Sequence, residues 1–350
     1  MQVFARVVGQ EDNIGDIVLR RQYLQTAASY GSLHLFAGEH SAAYLESLQF
    51  PDAKYYSSHR LWWSAMLSAA KQGPVLLFDK PGELQTSWRS VRSQLKSHLR
   101  RRLLTRRGGR TVLLGVGLRH SLPLLRRIAL RAAFSDYLLI GWRDVRSHKE
   151  LGVGQVMPDW AFAEEATNES EGDRNLLIVS MRGDRPSPSA RWFNLLGEFA
   201  QRHGLQVQVV TQVGRDETRS GEIAARLGVA PMPWMTGDYA AQERALRTLY
   251  QRARLVVSDR MHVLIVAANE GAVPLCLTDW PEEKIERHFQ AIGFEDVSSV
   301  LPSTDDAAAR LLDQQITRTE ELSEKRAAAK GAIREMEARL QKIVRAGDRR

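Results

Sequence analysis

The chain has 350 residues, of which 43% are hydrophobic and 26% charged, and its formal net charge is +8. This length fits two domains of ordinary size, and the apolar content excludes disorder over most of the chain. The single cysteine, Cys276, excludes an intramolecular disulfide and a zinc site built from cysteines.

Short apolar runs alternate with longer stretches of helical spacing along most of the chain. The runs are rich in Val, Leu and Ile, and turn or capping residues follow them, which is typical of buried strands. The predicted strands span residues 3–8, 32–36, 75–78, 111–115, 137–141, 176–180, 206–211, 255–258 and 273–277. Strands that alternate with helices predict an α/β fold with parallel sheets.

A polar, acidic segment divides these strands into two groups. Residues 164–174 lack a core pattern and are predicted to be an exposed linker. Five strands precede it and four follow, so we expect two Rossmann-like domains, 1–163 and 175–306, that face a central cleft. The last stretch, 307–350, is predicted to be a helical tail. Its apolar stripe consists of Ile333, Met336, Leu340 and Ile343.

The residues that follow the predicted strands are the first candidates for chemistry, because parallel sheets bind ligands beyond the carboxyl ends of their strands. Asn13, Gly15 and Asp16 come after the first strand. Gly15 permits a tight turn into a helix whose first N–H groups could bind an anion. The alternative is that Asn13 or Asp16 serves only as the N-cap of that helix.

Arg143 follows the strand at 137–141, and Ser147 comes shortly after it. An arginine at the tip of a parallel strand suits a carboxylate or a phosphate, because its planar fork can donate two hydrogen bonds. The alternative is a surface pair between Arg143 and Asp144, with Ser147 in the following helix.

The most pointed candidates follow the strand at 255–258. Ser258 or Asp259 is expected to cap a helix, which puts Arg260 and His262 in its first turn, where an anion would bind. Histidine is the side chain most easily tuned to exchange a proton near neutral pH. A histidine with a structural role is the alternative.

Lys284 is expected in the first turn of a further helix, because Asp279 and Pro281 mark a helix start. The helix dipole disfavours a cation there, which hints at an anionic ligand. A solvated lysine among glutamates is the alternative. The sequence has no Walker loop and no metal-ligand spacing, so neither a nucleotide nor a metal is indicated by motif.

Positive charge is concentrated in one stretch of the chain. Such a block suits an anionic partner, although each arginine alone is also explained by a solvated helix face. Nucleic acid is not expected, because Trp88 is the one aromatic residue within the block. The block consists of Arg89, Arg92, Lys96, Arg100, Arg101, Arg102, Arg106, Arg107 and Arg110, followed by Arg119, Arg126, Arg127 and Arg131.

No run approaches the roughly 18–20 apolar residues of a membrane span. Residues 1–15 lack the basic and apolar regions of a signal peptide. We therefore expect a cytoplasmic protein, and the basic block adds the expectation of peripheral contact with an anionic membrane at its inner face.

Together these segments resemble the polysaccharide pyruvyl transferase family. That family has, in order, an N-x-G-D turn, a glycine-rich turn, an R-D pair with a serine beyond it, a P-D-x-A-F segment, and an S-x-R-x-H helix start followed by G-x-P. The matching segments are 13–16, 115–117, 143–144 with Ser147, 158–162, and 258–262 followed by Gly271 and Pro274. Lys284 also has a counterpart. The resemblance rests on the occurrence of all five motifs in this order.

The resemblance implies transfer of a pyruvyl group from phosphoenolpyruvate to a sugar, which forms a cyclic ketal and releases phosphate. It implies a fold similar to GT-B glycosyltransferases, with the acceptor side in 1–163 and the donor side in 175–306. The expected acceptor is a sugar of a bacterial exopolysaccharide or of its polyprenyl-diphosphate-linked precursor. Neither a cofactor nor a metal is expected.

The resemblance also suggests residue roles. His262 would protonate the donor, and Asp16 would position or deprotonate the acceptor. The expected donor-binding residues are Arg143, Arg260, Lys284 and Ser147. The expected acceptor- or anion-binding residues are Asn13, Gly15, Gly117 and Arg119.

Two other functions remain open at this point. The first is a glycosyltransferase that uses a nucleotide sugar in a similar two-domain cleft. The second is a non-catalytic protein that uses the basic block to bind an anionic glycan or a membrane, although that role leaves Arg260 and His262 without a purpose.

Overall fold

The computed structural model describes residues 1–166 and 173–347. Its strands are β1 Gln2–Arg6, β2 Ser32–Phe36, β3 Lys54–Tyr56, β4 Val75–Asp79, β5 Gly82–Leu84, β6 Arg110–Leu118, β7 Leu139–Trp142, β8 Gln155–Val156, β9 Leu176–Ser180, β10 Gln206–Val209, β11 Ala253–Ser258, β12 Val273–Thr278 and β13 Ser298–Val300. Each predicted strand is present. The prediction misses β3, β5, β8 and β13, because two or three residues are too few to show a pattern.

Helices occupy most of the remaining chain. They are α1 Ile14–Ala28, α2 Ala42–Ser47, α3 His59–Gln72, α4 Trp88–Thr105, α5 Leu124–Ala133, α6 Val145–Leu151, α7 Ala190–Arg202, α8 Glu217–Leu227, α9 Tyr239–Arg252, α10 Met261–Asn269, α11 Glu283–Gln290, α12 Asp305–Gln315 and α13 Thr319–Gly347. Side-chain oxygens cap the N-termini of several of these helices. Ser87 caps α4 and Ser189 caps α7, each by accepting a hydrogen bond from a first-turn N–H.

The chain divides into two compact units. Unit 1 contains Met1–Gly9, Leu19–Trp160 and Gly331–Arg350, and unit 2 contains Gln10–Val18 and Ala161–Lys330. Unit 1 therefore differs from the predicted first domain, 1–163, because it lacks residues 10–18 and 161–163 and includes residues 331–350. The placement of residues 10–18 is the largest change within the predicted domain. The reason is a backbone connection within unit 2: the N–H of Gly214 donates to the Asp12 carbonyl at 2.7 Å.

The predicted tail, 307–350, is divided between the two units. Helix α12 and the start of α13 belong to unit 2, whereas α13 from Gly331 onward belongs to unit 1. There Met336 and Leu340 are buried, and Arg110 Nη1 donates to the Val344 carbonyl at 2.6 Å. The predicted apolar stripe is therefore a packing face for unit 1. Residues 167–172 of the predicted linker lie outside the described residues.

The described part of unit 1 is built on a parallel sheet with the strand order β3-β2-β1-β4-β6-β7-β8, in which β5 also pairs with β6. In this sheet Val3 lies opposite both Leu33 and Leu76. Helices connect successive strands, as parallel pairing requires. Phe4 and Trp62 are fully buried in the core beneath α3.

The glycines at 115 and 117 lie inside β6, although the sequence analysis expected a turn there. Gly115 has a φ of +77°, and the pairing of β6 with β7 shifts register beside it. A Cβ at Gly115 would lie 2.4 Å from the ring of Trp160. The glycine therefore forms a bulge within a strand that continues through it.

The described part of unit 2 is built on a second parallel sheet, with the strand order β10-β9-β11-β12-β13. The core between this sheet and α7 contains Trp192 and Phe199, and the Trp192 indole N–H donates to the Leu277 carbonyl at 2.8 Å. Helix α10 is buried along nearly its whole length, because it is apolar on all sides.

The helices of residues 1–166 and 173–347 do not meet the requirements for crossing a bilayer. None of them combines the length and the apolar character that a membrane-spanning helix needs. The longest, α13, carries charged residues throughout its 29 residues.

Candidate active site

Loops after neighbouring strands bring polar side chains to one edge of the unit 2 sheet. Strands β9 to β12 are parallel, so their carboxyl ends share that edge. The loops and helix starts that follow β9, β10, β11 and β12 carry, respectively, Arg182, Asp216, His262 and Lys284. The segment Gln10–Val18, which belongs to the same unit, pairs with the loop after β10.

Ser258 fixes the turn from β11 into α10. Its hydroxyl donates to the Ser180 carbonyl at the end of β9 and accepts from the Arg260 N–H at 3.0 Å. Arg260 is the N-cap residue, and α10 begins at Met261. The predicted cap, Ser258 or Asp259, is therefore one or two residues too early. His262 lies in the first turn, as predicted.

Arg260 forms a two-pronged ion pair with Asp216. Its Nε and Nη2 atoms lie 2.7 and 2.6 Å from the two carboxylate oxygens, and Asp216 also accepts from the Gly183 N–H at 2.8 Å. Asp216 is almost completely buried. The pair fixes the plane of the guanidinium and leaves its Nη1 atom outside the pair, where it can donate to a ligand.

His262 lies beside Asp16. The distance from His262 Nδ1 to Asp16 Oδ1 is 3.7 Å, which is within ion-pair range but longer than a hydrogen bond. The other oxygen of Asp16 accepts from the Gln10 N–H at 3.2 Å. An imidazole next to a carboxylate is an arrangement that can move a proton.

The position of Asp16 beside His262 depends on the contacts that hold the segment 10–18 against the loop after β10. Asp12 pairs with both the guanidinium and the N–H of Arg215, and the Ile14 N–H donates to the Gln212 carbonyl at 3.2 Å. Burial alone would raise the pKa of Asp12, but the Arg215 contacts outweigh burial and hold that pKa below its usual value. Asn13 Oδ1 accepts from the Asp16 N–H at 3.3 Å, so Asn13 caps α1.

Gly15 allows the two helix starts to approach each other. A Cβ at Gly15 would lie 2.1 Å from the Cβ of His262 and 3.1 Å from Gln212 Nε2. Side-chain rotation cannot relieve the first clash, because both atoms are attached directly to the backbone. We therefore expect Gly15→Ala to displace one helix start and to lower stability by about 1–3 kcal/mol, measured as a fall in melting temperature.

The matched control for this variant is Gly221→Ala in α8 of the same unit. A Cβ at Gly221 meets nothing within 4 Å. Alanine is the better helix former, so we expect this variant to gain about 0.5–1 kcal/mol. Equal melting temperatures for the two variants would contradict the close approach of Gly15 to His262.

Asp259 is a buried acid directly beside this pair of helix starts. Its Oδ1 accepts from the Arg182 N–H at 2.8 Å, and its side chain is almost entirely inaccessible. Burial raises the pKa of Asp259 to about 6, although the Arg182 N–H and the charges of Arg182 and Arg260 oppose the rise. The folded protein therefore holds this proton more tightly than the unfolded chain does.

The sign of the pH effect follows from that difference. The Asp259 proton stabilises the fold at low pH, and this contribution is lost as pH rises from about 4 through about 6. The loss is at most about 3 kcal/mol. We expect Asp259→Asn, which keeps an oxygen acceptor for Arg182, to melt higher than the wild type at pH 8 and similarly at pH 4. A variant that melts lower than the wild type at pH 8 would contradict this.

Arg143 is part of a buried ion pair in unit 1. Its Nη1 lies 3.0 Å from Asp159 Oδ2, and both side chains are almost inaccessible. This pair joins two of the matching motifs, the R-D segment and the P-D-x-A-F segment. The alternative, a surface pair of Arg143 with Asp144, does not hold, because both side chains are buried. The proposed contact of Arg143 with a donor stays a prediction.

Ser147 is held inside unit 1 by its own hydrogen bonds. Its hydroxyl donates to Asp144 Oδ2 and accepts from the Leu118 N–H, each at 2.7 Å. Asp144 in turn caps α6 by accepting from the Ser147 N–H at 2.8 Å. The hydroxyl therefore joins α6 to β6, and its predicted role in binding a donor stays a prediction.

The remaining predicted residues of unit 1 lie at the end of β6. A Cβ at Gly117 would lie 2.8 Å from Asp144 Oδ2 and 3.2 Å from Arg143 Nε, so the glycine makes room for both. Arg119 is exposed, and its N–H donates to the Leu84 carbonyl at 2.9 Å. Anion binding by either residue stays a prediction.

Lys284 occupies the first turn of α11, where the sequence analysis expected it. Its N–H donates to Glu282 Oε1 at 3.3 Å, and its carbonyl contacts His288 Nδ1 at 2.7 Å. The side chain is half-buried at the carboxyl edge of the sheet, after β12. Its position is compatible with an anionic ligand at that edge, and donor binding by Lys284 stays a prediction.

Asp216 and Arg182 were not predicted from the sequence, and Asp259 was predicted only as a helix cap. Asp216 follows β10 in a polar loop, so the rule that residues after strands carry function could have found it. No local pattern identifies it as the partner of Arg260, which is 44 residues away along the chain.

The fold has clear counterparts among solved structures. HepE from Anabaena, in complex with UDP and glucose, is 10% identical over 99% of this chain and 100% of its own, with a TM-score of 0.58. A glycosyltransferase from Rickettsia africae is 10% identical over 99% and 98%, with a TM-score of 0.55. UDP-GlcNAc 2-epimerase from Neisseria meningitidis is 12% identical over 96% and 99%, with a TM-score of 0.54. The fold is thus that of the GT-B glycosyltransferases.

Sequence comparison identifies the family. No curated protein sequence matches the chain. The family model described as polysaccharide pyruvyl transferase matches residues 13–279. That range includes the segment around Asp16, the buried pair of Arg143 and Asp159, and the helix start with Arg260 and His262. Because the match covers most of the chain, this protein belongs to the polysaccharide pyruvyl transferase family and is a transferase.

Proposed function

We propose that the protein transfers a pyruvyl group from phosphoenolpyruvate to a sugar of a bacterial cell-surface polysaccharide or of its lipid-linked precursor. The product is a cyclic ketal, and phosphate is released. The observation that carries this proposal is the start of α10, where Arg260 is oriented by Asp216 and His262 lies beside Asp16.

The chemistry of the donor suits this edge of the sheet. Phosphoenolpyruvate carries a carboxylate and a phosphate on a three-carbon frame, so its site needs several hydrogen-bond donors at short range. Arg260 can supply its Nη1 atom, and the first N–H groups of α10 add the positive end of a helix dipole. Lys284 lies at the next helix start along the same edge. Fixed cations neutralise the donor in this proposal, so we expect a chelator to leave the activity unchanged.

The proposed reaction uses His262 as an acid. The imidazolium gives its proton to the methylene carbon of the donor, and positive charge develops at the neighbouring carbon. A sugar hydroxyl forms a bond to that carbon and loses its proton to a base, for which Asp16 is the candidate. The carbon–oxygen bond to phosphate then breaks. A second hydroxyl attacks the same carbon, gives its proton to the released phosphate and closes the ketal, and the proton held by Asp16 returns to His262.

A nucleotide-sugar glycosyltransferase is the second candidate, because the GT-B fold is shared with the structures described above. A third is a non-catalytic protein that binds an anionic glycan or membrane. The family match favours the pyruvyl transferase over both. Donor identity separates the three candidates.

A thermal-shift panel tests donor identity directly. We expect phosphoenolpyruvate to raise the melting temperature more than pyruvate or inorganic phosphate at the same concentration, and UDP-glucose or UDP to have little effect. Arg260→Lys should lose most of the shift. Arg191→Lys should keep the shift, because it alters only the ion pair of Arg191, on α7, with the exposed Asp305, on α12. Stabilisation by UDP and none by phosphoenolpyruvate would overturn the proposal.

A further inference from the structure

Helices α4 and α5 of unit 1 expose large apolar side chains to solvent. Leu99 and Leu125 are 67% and 69% accessible, and Leu124 and Ile128 are more than half accessible. Such residues are normally scattered singly over a surface. Here they recur on two helices that pack against each other. We call the solvent-facing residues of α4 and α5 the basic-apolar face.

Positive charge is concentrated on these two helices and on the residues that connect them. Residues 85–135, which include both helices, contain thirteen lysines and arginines and no aspartate or glutamate. Arg101 points inward and pairs with Asp136. Most of the others stay at the surface. The exposed members on the two helices are Arg89, Arg92, Lys96, Arg100, Arg102 and Arg131.

The apolar and basic residues alternate within one helix face. On α4, Lys96, Leu99 and Leu103 are spaced by three and four residues, so they lie on one side of the helix. On α5, Leu124, Ile128 and Arg131 have the same spacing, and Leu125 lies next to them. The face therefore offers apolar side chains at its surface, with cationic groups around them.

We infer that the basic-apolar face docks on the surface of an anionic lipid bilayer. In this arrangement the leucines and Ile128 enter the boundary between headgroups and acyl chains, and the arginines bind lipid phosphates. The charge of the face is complementary to such a surface. Leucine side chains gain by leaving water, and the long arginine side chains can reach the headgroups around them.

Other occupants fit the face less well. Nucleic acid would explain the arginines, but single strands are bound by stacking on aromatic rings, and Trp88 is the one aromatic residue on these two helices. A second copy of the chain would explain the leucines. A two-fold symmetric contact, however, would place this cationic face against itself, which is electrostatically unfavourable.

This inference goes beyond the proposed function and does not depend on it, because the face belongs to unit 1 and the candidate site was assigned in unit 2. The basic-apolar face and the candidate site are related only through the expected sugar acceptor. Docking of this kind would bring the protein to sugars that are carried on polyprenyl diphosphate.

Vesicle flotation with matched double variants tests the inference. The test variant is Leu99→Glu with Arg100→Glu on α4. The control is Leu61→Glu with Arg60→Glu on α3 of the same unit, where both residues are also exposed. The two variants make the same change in charge and in apolar surface. Melting temperatures of both, with and without phosphoenolpyruvate, show that the fold and the proposed donor site are intact.

We expect the wild type to float with phosphatidylcholine vesicles that contain about one-third phosphatidylglycerol, less with pure phosphatidylcholine, and less at high salt. The partition coefficient of the test variant should fall about tenfold or more, while that of the control stays near the wild-type value. The inference is overturned if the wild type does not float, or if the control loses as much vesicle binding as the test variant. It is also overturned if the test variant keeps its vesicle binding and loses only DNA binding or self-association.

Discussion

Replacing His262 with alanine is expected to lower the rate of pyruvyl transfer by about 10²–10⁴-fold, because proton delivery to the donor carbon would lose its acid. Phosphoenolpyruvate should still bind, since Arg260 and the start of α10 carry most of the donor contacts in the proposed site. The defect should therefore appear in kcat far more than in KM. Release of phosphate from phosphoenolpyruvate in the presence of the sugar acceptor measures it.

A matched histidine provides the control. His203 also lies next to a carboxylate, with its Nε2 2.8 Å from Asp313 Oδ1, but it sits at the end of α7. His203→Ala should keep full activity. If His262→Ala retains turnover within a few-fold of the wild type while remaining folded, His262 is not the acid.

Arg260→Lys is expected to lower kcat/KM for phosphoenolpyruvate by about 10²–10³-fold. Lysine lacks the planar fork that contacts both oxygens of Asp216 and leaves a further nitrogen, Nη1, for a ligand. Its charge is instead a single point on a flexible stem. The buried Asp216 would then lose its two-pronged partner. The measurement is initial rate against donor concentration at a fixed acceptor concentration.

A second variant separates orientation from charge. Asp216→Asn keeps Arg260 but removes the carboxylate that fixes its plane, so we expect a smaller loss, mainly in KM. Arg191→Lys serves as the control, because its partner Asp305 is exposed and lies on α12. Normal kinetics for Arg260→Lys would show that the donor binds elsewhere.

Local patterns predicted the parts of the site that are local in sequence. The strand at 255–258, the serine that ends it and the apolar helix that follows are consecutive, so the pattern placed His262 in the first turn. The same reasoning found Lys284, because a proline and acidic residues announce the start of α11.

Contacts between residues that are far apart in the chain could not be predicted from such local patterns. Asp216 and Arg260 are brought together by the parallel pairing of β9 with β10 and β11. The docking of residues 10–18 on unit 2 depends on hydrogen bonds to a loop about 200 residues later. Gly15 was predicted for its turn, but the structure uses it for close approach to His262.

In unit 1 the motifs were recognised from the sequence, but the contacts of their side chains were not predicted. The R-D and P-D-x-A-F segments are separate motifs in the sequence, and the structure joins them through Arg143 and Asp159. Ser147 was predicted from its position beyond the arginine, yet its hydroxyl is occupied by Asp144 and Leu118. Position after a strand identifies a neighbourhood, whereas burial and partners decide whether a side chain can meet a ligand.

The central claim is that phosphoenolpyruvate binds against His262. Histidine-selective NMR tests this without knowledge of the acceptor, since the chain has nine histidines and the His262→Ala spectrum identifies the ring signals of His262. The account predicts that phosphoenolpyruvate shifts those signals saturably, while His203 stays unchanged and UDP-glucose has no effect. Signals of His262 that respond to UDP-glucose and ignore phosphoenolpyruvate would contradict it.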